Sequence, residues 1–130
     1  MIRNKQEQTL FMDFHNIKTP RGHPSDIDLW YITPEGFLIL GEIKNAKGTF
    51  TEFQRLLNEN LIAAHKGGGT VLYIVHNKDV HKGDREVDVS ECLVKEYLWK
   101  GEWITPKHPI TVNEAFAKLI EYSRGKNGNS

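Results

Sequence analysis

Two aspartates, a glutamate and a lysine stand out in the stretch PSDIDLWYITPEGFLILGEIKNAKG, residues 24–48. Asp26 and Asp28 open one apolar run; Glu42 and Lys44 close the next. Between the runs lies Pro34-Glu35-Gly36, where glycine can supply the left-handed position of a three-residue hairpin loop. With that loop Thr33 faces Phe37, Asp28 faces Glu42 and Asp26 faces Lys44. All four charged side chains then leave one face of the hairpin, at the end away from the turn. A two-residue loop would slip the register by one and part Asp28 from Glu42.

Two carboxylates held opposite each other repel, and each raises the other's pKa unless a positive charge intervenes. A divalent cation supplies that charge, and hard oxygen ligands suit Mg²⁺ or Mn²⁺. Lys44 points the same way and can hold a phosphate oxygen or help orient and deprotonate a water. Such a set fits phosphodiester hydrolysis. The plainer reading is a cross-strand salt bridge on an exposed hairpin. Burial separates the two readings. Ile27, Leu29, Tyr31, Phe37, Ile39 and Ile43 make one face apolar, and Trp30, Ile32, Leu38 and Leu40 the other. The pattern predicts a hairpin covered on both sides, where charges need partners or a metal.

The elements that must position these groups can be read from periodicity and punctuation. Residues Arg3 to Phe14 fit a helix with Leu10, Phe11, Phe14 and Glu7 on one stripe, followed by a short strand in HNIKT. Strands are predicted at Asp26 to Ile32 and at Phe37 to Lys44. Thr49 and Glu52 form a capping box that starts a helix running to Lys66, where Gly67-Gly68-Gly69 stops it. That helix is predicted to turn Phe50, Phe53, Leu57 and Leu61 inward, with Gln54 at the stripe's edge. TVLYIV is an apolar, β-branched run suited to a central strand, parallel to the one before the helix. LVKEYLWKGEWIT reads as a hairpin turning at Lys100-Gly101, and a last helix starts at the capping box TVNE. Its inward residues are Ala115, Phe116, Leu119 and Ile120. The class is α/β: a mixed central sheet plus a C-terminal hairpin and helix, one domain over residues 1–124 with a flexible tail at 125–130.

Pro24-Ser25-Asp26-Ile27-Asp28 followed by Glu42-Ile43-Lys44 resembles the signature of the PD-(D/E)XK nuclease superfamily. The segment GEIKNAKGTFTEFQRLL and the later EYLWKGEW are similar to small phage-type Holliday-junction-resolvase-like nucleases. The resemblance covers about Ile2 to Val75, with a weaker echo to Trp103. It implies a restriction-endonuclease-like core of helix, three strands, helix and strand, and Mg²⁺- or Mn²⁺-dependent cleavage of DNA. By that resemblance Asp28 and Glu42 are metal ligands, the Ile43 carbonyl is a third, and Lys44 is the catalytic lysine. Ser25 separates Pro24 from the first aspartate, so Asp26 stays open beside Asp28 as the motif acid. The resemblance also assigns Gln54 to the metal site or the DNA, and Glu7 to the metal.

Other positions are candidates on the residues alone. Lys47, Lys66 and Arg55 could form an edge that binds phosphate, and Asp26 and His23 flank the acidic strand where substrate would lie. Set against these are ordinary roles: a helix-border glutamine, a first-turn glutamate, solvated lysines.

Composition narrows the field. The 130 residues carry 17 basic and 17 acidic side chains, so no global positive field advertises nucleic acid. A single cysteine, Cys92, allows no internal disulfide and fits a reducing compartment. No apolar run is long enough to span a membrane, and the N-terminus has no signal-peptide pattern. The expectation is a cytoplasmic enzyme, phage-encoded or not, acting on DNA as a homodimer. The alternatives are a catalytically inactive nuclease-fold module that binds nucleic acid or protein, and a phosphodiesterase for small nucleotides.

Overall fold

The computed structural model describes residues 28–84 and 86–128. The helix and short strand expected within residues 1–27 lie outside them. The described residues form a five-stranded mixed sheet: β1 (Leu29–Ile32), β2 (Leu38–Asn45), β3 (Gly69–His76), β4 (Leu93–Trp99) and β5 (Glu102–Ile104). Strand order follows chain order, β1-β2-β3-β4-β5. Only β2 and β3 are parallel, joined by the crossover helix α1 (Glu52–Ala64). Helix α2 (Val112–Gly128) packs on the other face and takes in the first residues of the segment read as a tail.

The three-residue loop forms as its sequence predicts. Thr33 N–H donates to the Phe37 carbonyl at 2.9 Å, and Gly36 N–H to the Thr33 carbonyl at 2.8 Å. Gly36 sits at φ 93°, a conformation that only glycine adopts without strain. The register then runs Ile32↔Leu38 through Leu29↔Gly41. Its next step sets Asp28 opposite Glu42.

Alternation along β2 divides the core in two. Odd residues such as Ile39 join Leu72, Ile74, Val94 and α2's Val112 and Ala115. Even residues such as Leu40 join Val71, Tyr73 and Leu98, with Phe50 and Ile62 from the α1 side. Each of the best-buried aliphatic side chains is worth about 1.5–3 kcal/mol of burial.

Three expectations need correction. First, the described residues do not cover the hairpin on both sides. Its second strand is buried, but Trp30 is 65% exposed, and Tyr31 and Ile32 are exposed too. Among the described residues β1 is an edge strand, while α1 lies over β3 and α2 over β4. Second, α1 starts two residues later than predicted. Thr51 is its N-cap, and Gln54 completes the capping box. Both Thr49-x-x-Glu52 and Thr51-x-x-Gln54 satisfy that motif. Phe50 decides between them: it is buried against Tyr73 and Trp103, with ring centroids at 5.0 and 5.4 Å, and so is held just ahead of the helix. Third, the inward face of α1 is built around Asn58 and Ile62, and Phe53, Leu56 and Leu61 are exposed. Polar contacts from Arg55, Asn58 and Glu59 to the sheet and β5 set this rotation.

The remaining elements agree with the pattern. Lys100 (φ 50°) and Gly101 (φ 86°) make a two-residue turn between β4 and β5. Thr111 and Glu114 cap α2 reciprocally, at 3.1 Å in each direction. A single 3₁₀ turn, Val89–Glu91, leads into β4. Trp99 packs against Phe37 and Tyr122, and Trp103 against Phe50, both within the fold.

Candidate active site

Leu38, Leu40, Glu42 and Lys44 leave β2 on the α1 face, so Glu42 and Lys44 stand at the carboxyl end of that strand, beside parallel β3. Ligands in open α/β sheets bind outside the carboxyl ends of parallel strands. Asp28 reaches the same corner from the start of β1. Its Oδ2 accepts the Ile43 N–H at 2.8 Å, in effect extending the β1–β2 ladder by one side-chain bond. In an extended strand the N–H and C=O of one residue point the same way. Even residues of β2 bond to β3, as Leu38 N–H does to the Gly68 carbonyl at 3.0 Å. The Ile43 carbonyl therefore faces the β1 side, from which Asp28 approaches.

Glu42 is only 4% exposed. Its pKa is raised, first by burial and next by the negative charge of Asp28, with which it also comes within hydrogen-bonding reach. Asn58 and Lys44 partly offset this by favouring the ionised form. Sequence reading missed Asn58. It is 2% exposed, and its Nδ2 donates to the Gln54 carbonyl at 2.8 Å and makes a long 3.4 Å contact with Glu42 Oε1. The signal was present: an asparagine one turn after Gln54, on the helix that follows Glu-x-Lys.

The other candidates fall in different places. The Gln54 side-chain oxygen accepts the Thr51 N–H at 3.2 Å, so Gln54 caps α1, and its backbone carbonyl anchors Asn58. Lys47 is exposed in the turn just beyond β2. Arg55 pairs with Glu96 at 2.8 Å and lies over the rings of Phe50 and Trp103, at 4.8 and 4.7 Å. Its guanidinium is held within the fold, between Glu96 and these rings. Glu7, His23 and Asp26 lie outside the described residues.

No family model, curated protein or solved structure matches this chain. The reading of the site therefore rests on its own residues.

Among the described residues no group of three or more His, Cys, Asp and Glu side chains could hold a metal ion. The carboxylate pair is a different kind of site. Magnesium commonly takes one or two protein carboxylates and fills its other positions with water and phosphate oxygens. The donors here are all oxygens: two carboxylates, plus a carbonyl that faces their side of the strand. The buried charge of Glu42, opposed by Asp28, is the observation that fits a cation at this corner.

Proposed function

We propose that the chain is a Mg²⁺- or Mn²⁺-dependent nuclease of the PD-(D/E)XK kind, hydrolysing phosphodiester bonds in structured DNA. The observation that carries this reading is the buried Glu42 carboxylate facing Asp28, with Lys44 two residues on along the same face. The helix–strand arrangement around it, with hairpin, crossover helix and parallel strand, is compatible with the restriction-endonuclease-like core. When bound, the metal polarises the phosphate and makes water a stronger nucleophile.

The protein's own groups divide the remaining work. Asp28 and Glu42 present carboxylate oxygens to the cation, and the Ile43 carbonyl presents a third oxygen. Asn58 holds Glu42 ionised and in place. Lys44 balances charge on the phosphoryl oxygens as the bond breaks and orients the attacking water. Lys47, exposed beyond the strand, contacts the adjoining phosphate. A homodimer would bring two such sites to two strands.

The test is cleavage of labelled four-way, flap, single-stranded and linear DNA with Mg²⁺, Mn²⁺ or EDTA, with Glu42→Ala as control. Metal-dependent cutting lost in the variant is the expected result. Absence of cutting by folded protein on every substrate overturns the assignment. One observation favours the rival reading of an inactive binding module: Glu96 already neutralises Arg55, a cation expected to contact phosphate. Retained DNA binding without turnover would select that reading.

A further inference from the structure

The opposite face of the sheet holds a cavity of about 570 Å³ between α2, β4 and the loop 105–110. Leu72, Val94 and Ala115, all buried, line it together with Tyr97, Trp99 and Tyr122. Well-packed interiors leave few voids larger than a water, whereas ligand pockets run to about 300–1,000 Å³. Pro106 and Pro109 belong to its rim and stiffen the loop there.

The exposed polar residues at its edge are mostly basic: Lys107, His108 and Lys118. The one acid among the lining residues, Glu114, caps α2 and also feels the charge of Lys118, so the edge keeps an excess of positive charge rather than a purely positive one. The Glu114 carboxylate accepts the Thr111 N–H at 3.1 Å and the Thr111 hydroxyl at 3.0 Å. A site with an aromatic and aliphatic interior and lysines at the opening selects for an apolar body with a negative end.

We propose that this cavity binds a small molecule combining a planar aromatic body with one anionic group, a carboxylate, sulfonate or phosphate. The aromatic part fills the space beside Trp99 and Tyr122, and the anion rests between Lys107 and Lys118. The site is separate from Asp28 and Glu42 and stands whether or not the chain cuts DNA.

The probe pair is 1-anilinonaphthalene-8-sulfonate and its uncharged counterpart N-phenyl-1-naphthylamine, titrated into the full chain. Fluorescence and the methyl resonances of Val94, Ala115 and Leu119 report binding. One saturable site per chain is expected, with the sulfonate bound at least about tenfold more tightly than the uncharged dye. The surface variant Lys107→Glu/Lys118→Glu should erase that preference without changing the melting temperature. Three results each overturn the proposal: no saturable site, a preference unchanged in the variant, or resonance shifts confined to the groove of Trp30, Leu61 and Ala64.

Discussion

Glu42 is held where both burial and a like charge work against its ionisation, which ties its chemistry to pH. On the proposed reading a cation binds the ionised pair, so metal affinity should fall as acid protonates Glu42, at a pH above that of an ordinary glutamate. Asn58→Leu removes a donor to the ionised form and raises that pKa further. The acid limb of the pH–rate profile is expected to move to higher pH, together with a stability loss of about 1–3 kcal/mol for the unpaired groups left behind. A profile identical to wild type would deny Asn58 its positioning role. Lys44→Ala removes the charge proposed to meet the reacting phosphate and should lower the single-turnover cleavage rate at least about a hundredfold, with the melting temperature little changed. An unchanged rate would remove Lys44 from the chemistry.

The hairpin turn sets which side chains meet. Gly36→Ala places a side chain at φ 93° and is expected to cost about 1–2 kcal/mol, seen as a lower urea midpoint, with activity per folded molecule retained. Lost activity in folded protein would mean instead that the turn shifts the register. This element was legible in sequence because its signals are local: a Pro-x-Gly turn and alternation fix the pairing of Asp28 with Glu42. Parallel β3, the Lys100-Gly101 turn and the Thr111–Glu114 cap were legible for the same reason. The phase of α1 was not. Two overlapping capping motifs competed, and the winner depended on Phe50 finding Tyr73 and Trp103, residues far along the chain. Asn58 escaped notice because its partner, Glu42, lies sixteen positions earlier, across the crossover. Phe53 and Leu61 looked like core because amphipathic periodicity gives an apolar row, not the direction in which it faces.

On the proposed reading metal and proton compete over the whole molecule's stability, which would separate a metal site from a merely structural pair. Because the folded pKa of Glu42 lies above its ordinary 4.5, the folded state holds this proton more tightly than the unfolded chain does. Stability from this group is therefore fully present below that ordinary value and is lost as pH rises through the raised one. Once ionised, Glu42 is buried unfavourably beside Asp28, and on the proposed reading a bound cation relieves that. Saturating Mg²⁺ at pH 7 is expected to raise the melting temperature by a few degrees, since ligand at about ten times its Kd stabilises by roughly 1.4 kcal/mol. Glu42→Gln should do something different: melt higher than wild type in EDTA and respond to Mg²⁺ weakly or not at all. Scanning calorimetry of both proteins, with and without metal, decides the matter independently of any DNA substrate. A wild-type response matched by the variant would place the cation elsewhere. No response by either would leave Asp28 and Glu42 as a shared-proton pair, and the reading as a nuclease would lose its foundation.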